Sequence, residues 1–306
     1  MNTALTAECI VIGAGPAGLS AASQIGARGH SCVIIEANVS GGHILITPEI
    51  TDYPGIEAIS GYTLSSVLLK QAQSKNVTVM TGDKAVTLVQ DHQNRYTITL
   101  ESGTDLYAQC VVLATGLRSV NTGLPEESNY LGKGVSYCAE CDGFFFKDKP
   151  VAVYGSGDGF TEAVDLLASD CKPVYHISPS GVCSTGDSVS SFEGWHITAL
   201  EGDGILSALR LESQDHKQKR KIEVEGLFVY MGKEPADELL KPFLEEASDP
   251  ARTGLFITGH LAGTETLVET CASGVSTAGQ VSGYLNRKVN DLQILYQGED
   301  EAVHVF

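Results

Sequence analysis

Positive charge is scarce in this chain: 20 Lys and Arg stand against 38 Asp and Glu, a net charge of −18. Such a surface repels nucleic acid and anionic membranes, so neither is expected as a partner. The one basic run, His216-Lys217-Gln218-Lys219-Arg220-Lys221, reads first as a solvated hairpin tip and only second as a docking patch. Long apolar runs are missing too, because glycine or charge interrupts each before it reaches spanning length. Met1 to Glu8 has neither a basic start nor an apolar stretch, so no secretory signal is expected. Eight cysteines without such a signal are expected in a reducing cytoplasm. A second closely spaced cysteine pair and a His pair at finger spacing are both lacking, which argues against a four-ligand structural zinc site.

What is present is a turn-rich α/β composition, 42% hydrophobic with 33 glycines, over 306 residues, long enough for two domains. One short stretch organises the rest: Cys138-Ala139-Glu140-Cys141-Asp142-Gly143. Two thiols two residues apart can close into a disulfide and reopen with two electrons. An isolated pair favours that use over half of a zinc site or two incidental core cysteines. Asp142 follows the second thiol, where a carboxyl group can relay the protons of exchange.

Near the N-terminus the strand Cys9-Ile10-Val11-Ile12 runs into Gly13-Ala14-Gly15-Pro16-Ala17-Gly18, then into an Ala-rich helix to Ala27. A second strand, Ser31 to Ile35, ends on Glu36. Strand, glycine turn, helix, strand and acid form a dinucleotide fingerprint in full context. Gly13 permits the turn, Gly15 admits a pyrophosphate, and Gly18 lets the helix lie close on the strand. Phosphates belong at the helix N-terminus and a ribose hydroxyl at Glu36. The loop from Gly41-Gly42-His43 to Tyr53-Pro54-Gly55 reads as a wrap around the nucleotide or an ordinary surface loop. The strand Cys110 to Ala114 ends in Thr115-Gly116, a second close approach of backbone to cofactor.

A second βαβ unit starts at Val151, but its fingerprint, Gly155-Ser156-Gly157-Asp158-Gly159-Phe160, is damaged. Phe160 fills the small third position. Ser178-Pro179-Ser180 offers neither an acid for a ribose hydroxyl nor an arginine for a 2′-phosphate. Leu206–Glu212 and Lys221–Glu225 read as a hairpin. A strand at Gly254–Ile257, the Gly259-His260 turn, a helix over 266–285 and a polar tail over 286–306 complete the pattern.

Taken collinearly, these stretches resemble the low-molecular-weight thioredoxin reductases over nearly the whole chain. The resemblance implies an α/β fold of two Rossmann-like, three-layer dinucleotide-binding domains, the second inserted into the first. The implied segments are 1–117 and 248–306 for an FAD domain and 118–247 for the domain carrying the cysteines. It further implies a homodimer acting on thioredoxin or another protein disulfide. Cys141 would face the flavin, Cys138 would attack the partner, and Asp142 would relay protons. Gly13, Gly15, Pro16, Ala17, Gly18, Glu36, Gly41, Gly42, His43, Ala114, Thr115, Gly116, Gly259 and His260 would hold the FAD.

The departures are concentrated. Phe160 and Ser178-Pro179-Ser180 replace a clean glycine motif and an arginine-rich turn, and the stretches 181–202 and 232–254 look short. His260 stands where an FAD-binding Asp is expected, and Leu267-Val268 lie near the place of an Arg-Gln pair. In this respect the chain is similar to branches that do not use NADPH. Those are the ferredoxin-dependent flavin thioredoxin reductases and the diflavin-linked disulfide oxidoreductases, in which a second flavin takes the vacated site. His304 or Phe306 would then stack over the flavin, or belong to a frayed tail. The expected activity is FAD-dependent thiol–disulfide exchange without NADPH. The alternatives are an NADPH-dependent thioredoxin reductase, a dithiol oxidase using oxygen, and a flavoprotein redox sensor without turnover.

Overall fold

In the computed structural model, residues 5–120, 122–124, 126–156, 159–180, 189–246 and 253–301 are described. The chain opens with β1 (Thr6–Ile12), α1 (Pro16–Ala27), β2 (Cys32–Glu36), α2 (Gly61–Gln73), β3 (Thr78–Thr81), β4 (Ala85–Gln90), β5 (Tyr96–Leu100) and β6 (Asp105–Leu113). There follow β7 (Leu117–Ser119), α3 (Glu127–Tyr130), β8 (Val135–Ser136), α4 (Ala139–Asp142), β9 (Val151–Gly155), α5 (Phe160–Asp170), β10 (Val174–Ser178) and β11 (Val189–Glu193). Then come β12 (Trp195–Gly202), β13 (Leu206–Ser213), β14 (Lys219–Glu223), β15 (Gly226–Tyr230), β16 (Lys233–Pro235), β17 (Leu255–Ile257) and α6 (Leu267–Glu301).

The chain divides into two compact units, Met1–Leu117 with Pro235–Phe306, and Arg118–Glu234. The second compact unit ends at Glu234, where the expected inserted segment runs to 247. The Leu239, Leu240 and Phe243 side chains explain the difference, because they pack on the core of the first unit.

The first unit is built on a sheet in the order β3-β2-β1-β6-β5-β4, with β17 also on β6. β6 serves two partners along one edge. Its start pairs antiparallel with β5 and its end parallel with β17. Both faces of the sheet are buried. Cys9 and Val11 face the α1 and α6 side, while Ile10 and Ile12 face the side closed by Leu88, Tyr96 and Ile98. Alternation with both faces apolar explains why β1 reads as one continuous hydrophobic run. The parallel register sets Cys32, Cys9 and Cys110 side by side in this core. Hydrogen bonds from Cys110 and Cys32, then burial, push the Cys9 thiol well up, so it serves as a packing group.

The second unit holds an all-parallel sheet, β11-β10-β9-β15-β8. α5 covers one face through Phe160, Val164 and Leu167. The opposite face is covered by an antiparallel sheet, β12-β13-β14, through Ile197, Leu209 and Leu211. The expected hairpin is present as β13 and β14. Trp195–Gly202 pairs with β13 as well and extends it to a three-stranded sheet. One outer layer of this Rossmann-like unit is sheet, not helix.

The basic run sits at the β13–β14 turn. There Lys217 pairs with Asp215, Lys219 with Glu212 and Lys221 with Glu201, so much of its charge is met locally. α6 continues past the expected stop at Leu285 to Glu301, since 286–297 contains no Gly or Pro to end a helix. His304 and Phe306, the expected stacking residues of the tail, lie outside the described residues.

Candidate active site

The redox turn lies entirely in the second unit. β8 ends at Ser136, and Cys138 serves as the N-cap of α4, with the Cys141 N–H directed at its Sγ, 3.2 Å away. That single turn brings the sulfurs together, and Cys138 and Cys141 form a disulfide. Among the described residues no group of three or more His, Cys, Asp and Glu is placed to hold a metal. Cys141 is exposed and Cys138 half-buried.

Asp142 is not free to swing. The Ser136 hydroxyl donates to its Oδ2 at 2.7 Å and accepts the Cys138 N–H at 3.0 Å. One serine therefore fixes both the acid and the backbone of the first cysteine. Sequence reasoning missed Ser136, since a lone serine two residues before a CxxC carries no pattern. It also missed Tyr230, at the end of β15, whose hydroxyl accepts the Ala139 N–H at 3.0 Å. Burial, above all, pushes the Tyr230 phenol up to about 12, so it stays protonated at neutral pH.

The candidate nucleotide cradle of the first unit forms where β1 meets α1. A Cβ on Gly13 would stand 2.3 Å from the Ala114 carbonyl oxygen, and one on Gly18 would stand 1.9 Å from that of Gly13. Only glycine lets strand, helix and β6 approach this closely. α1 begins at Pro16, directly after Gly15, so its unpaired first-turn N–H groups open at the glycine turn. Glu36 accepts the Ala14 N–H at 2.8 Å and the Asn38 N–H at 2.9 Å, one on each oxygen. Each oxygen keeps a lone pair for a ribose hydroxyl.

The remaining expected residues gather around this cradle. The Gly41 N–H donates to Ala14 O at 2.8 Å, which draws the Gly41-Gly42 loop onto the turn. His43 Nε2 lies 3.0 Å from Leu117 O, and Thr115 Oγ1 donates to Ala236 O at 2.6 Å, so both side chains tie backbone segments together. Ala236 N–H in turn reaches Gly116 O at 3.0 Å. Gly259 and His260 open a 3₁₀ turn, and a Cβ on Gly259 would lie 2.7 Å from the Ala17 methyl carbon, over the first turn of α1. The Gly259 N–H is held by Ser273 Oγ at 3.2 Å. Gly274 lets α6 press against α1, since a Cβ there would meet Ala17 O at 2.3 Å. Neither Ser273 nor Gly274 stands out in sequence, because helix-to-helix approach leaves no local motif. Turn, helix terminus and paired acid fit the pyrophosphate and ribose of FAD.

Among the described residues, the second fingerprint keeps the first of these devices and alters others. A Cβ on Gly155 would stand 2.1 Å from Tyr230 O, as Gly13 does against Ala114. Yet α5 begins at Phe160, five residues past Gly155, whereas α1 begins at Pro16, three past Gly13. Phe160 is only 6% exposed, and its ring lies 4.4 Å from that of His176. The Ser180 hydroxyl donates to Ser156 at 2.7 Å, closing the span between strand end and glycine turn. Gly157 and Asp158 lie outside the described residues.

Comparison with known proteins agrees with this geometry. Residues 7–174 match the family described as pyridine nucleotide-disulphide oxidoreductase. A thioredoxin reductase of Helicobacter pylori is 34% identical over 249 residues, covering 76% of this chain and 79% of that protein. One from Streptomyces clavuligerus is 31% identical over 88% of this chain and 89% of its own length. The fold is shared with the thioredoxin reductase of Lactococcus lactis, at a TM-score of 0.76 and 22% identity, covering 92% of this chain and 99% of that one. Motif order, paired cysteines and relatives together make this chain a member of the thioredoxin reductase family within the pyridine nucleotide-disulphide oxidoreductases, an FAD-dependent enzyme of thiol–disulfide exchange.

Proposed function

We propose that the protein passes electrons between its FAD, the Cys138–Cys141 pair and a protein disulfide of the thioredoxin type, without taking hydride from NADPH. Cys141 exchanges with the flavin, Cys138 attacks the partner, and Asp142, steadied by Ser136, moves the protons. When bound, FAD supplies the two-electron carrier. The protein's part is to cradle it with Gly13, Gly15, Gly18 and Glu36 and to present the thiols. Phe144 and Phe145, 65% and 62% exposed beside the redox turn, supply an apolar landing patch for a protein partner.

The observation that carries the NADPH-independent reading is the start of α5 at Phe160. A pyrophosphate needs the first N–H groups of a helix at the glycine turn, and here a buried aromatic ring fills the position that close helix–strand packing requires to be small. The donor is then another redox carrier, such as a ferredoxin, or a second flavin in the 118–234 unit. Local pairing of the β13–β14 lysines weighs against an acidic ferredoxin docking there. The identity to thioredoxin reductases favours a second reading, an NADPH-dependent enzyme of the same class. The buried, free Cys9, Cys32, Cys110, Cys171 and Cys271 accord with work in a reducing cytoplasm, and the family resemblance with a homodimer.

The test is anaerobic and optical. With flavin identified and counted per chain, NADPH or NADH is added and the yellow band followed. No bleaching by either, with full bleaching by dithionite or reduced ferredoxin, is the expected result. Bleaching within seconds by NADPH establishes the second reading instead, and oxygen uptake driven by a dithiol would reassign the enzyme as an oxidase.

A further inference from the structure

The redox turn carries a second carboxylate. Glu140 stands between the two cysteines, with its Oε2 3.7 Å from Cys138 Sγ. In the disulfide that sulfur has no proton to share. On reduction the same approach becomes a thiol-to-carboxylate hydrogen bond, on the atom that must lose its proton before it can attack. The carboxylate is held from the neighbouring strand. Tyr230 Oη donates to Glu140 Oε2 at 3.4 Å while accepting the Ala139 N–H at 3.0 Å. One phenol therefore anchors the first residue of α4 and the acid after it. The Tyr230 ring is itself set edge-on to Phe160, 6.4 Å between centroids. Among the described residues, the charged and titratable groups facing this arrangement are Glu162 from α5, which acts on Tyr230, and Asp142 at the end of α4, which Ser136 from β8 engages.

The geometry points to Glu140 as the acid–base residue of Cys138, with Tyr230 as its positioning residue, separate from the Ser136–Asp142 pair. The inference rests on the thiol–disulfide function proposed above. In the reduced enzyme Glu140 takes the proton of the Cys138 thiol. The Cys138 thiolate attacks one sulfur of the partner's disulfide, forming an intermolecular S–S bond and expelling the partner's other sulfur as thiolate, which takes up the proton held by Glu140. Cys141, its proton passed to Asp142, then attacks Cys138 Sγ. The 138–141 disulfide re-forms, and the second partner sulfur leaves and collects that proton. Two electrons and two protons move to the partner, and the dithiol is oxidised.

The test is the pH dependence of Cys138 alkylation by iodoacetamide, in reduced flavin-loaded protein carrying Cys141→Ser, with the modified peptide identified by mass. A carboxylate beside a thiol opposes the thiolate by charge and by accepting its proton. Glu140→Gln is therefore expected to lower the alkylation midpoint by about half to one pH unit. Tyr230→Phe frees the carboxylate toward water and lowers the midpoint in the same direction. Added to Glu140→Gln, it produces no further shift. An unchanged midpoint in Glu140→Gln overturns the role of Glu140, and additive shifts overturn that of Tyr230. Retained flavin and an unchanged urea-unfolding transition certify the fold of each variant. Failure of the unsubstituted, reduced enzyme to reduce either thioredoxin or 5,5′-dithiobis(2-nitrobenzoate) would instead overturn the function, and the midpoints would still decide Glu140.

Discussion

The Phe160 and Tyr230 rings meet edge to face, 6.4 Å between centroids at 86°. Phe160 heads the helix of the second fingerprint, and Tyr230 holds the backbone of the disulfide turn. A residue that departs from the nucleotide-binding pattern thus packs against the support of the redox centre. Its loss is felt twice. Phe160→Ala should cost about 3–5 kcal/mol, through a cavity among Val164, Leu167 and Phe228, measured by urea unfolding. Phe160→Gly should not create an NADPH-reducible flavin, because the Ser156–Ser180 span and the missing acid or arginine remain; anaerobic bleaching by NADPH in that variant would refute this.

The first fingerprint has no room for a methyl at Gly13 or Gly18. Gly18→Ala places a carbon 1.9 Å from the Gly13 carbonyl oxygen, a backbone atom that cannot rotate away. Flavin content after purification should fall at least tenfold, read from the visible band against protein absorbance, a loss of about 1.4 kcal/mol or more in binding.

Ser136 and Asp142 should fail together. Asp142→Asn removes the proton carrier and is expected to slow disulfide reduction by about 10²-fold or more. Ser136→Ala leaves the carboxylate in place but unheld, so a smaller loss is expected, with the Asp142→Asn background insensitive to it. Equal losses that simply multiply would show that the two side chains act apart.

Acid stability should depend on the junction of β1 and β2. Glu8 is half-buried, which raises its carboxyl, but the Ser31 N–H at 2.7 Å, His30 at 3.1 Å and the Ser31 hydroxyl outweigh burial and hold it below 4.5. A depressed acid contributes stability above its unfolded value and loses it as pH falls through the folded one. Glu8→Gln should therefore be less stable than the parent at pH 7 by about 1 kcal/mol, with the gap closing below about pH 4. A gap that persists at pH 3 would exclude the carboxylate as its source.

Much of this protein was legible along the chain. The Gly13–Gly18 turn with Glu36, the strand at Cys110–Ala114 and the CxxC followed by Asp142 are local patterns. Each is set by what one turn of backbone, one helix terminus or one pair of thiols can do. The second βαβ unit, from β9 at Val151, was marked likewise. What the sequence alone could not supply was contact between distant segments. That Trp195–Gly202 joins the hairpin, that 235–246 returns to the first unit, and that Gly274 lets α6 lie on α1 depend on pairings and approaches over long separations. The same holds at the redox centre, where Ser136 and Tyr230 acquire meaning only once β8 and β15 lie side by side. Composition and spacing determined which chemistry the chain carries. Tertiary structure decided which side chains hold that chemistry in place, because hydrogen bonds and packing act across space and the sequence orders residues only along the backbone.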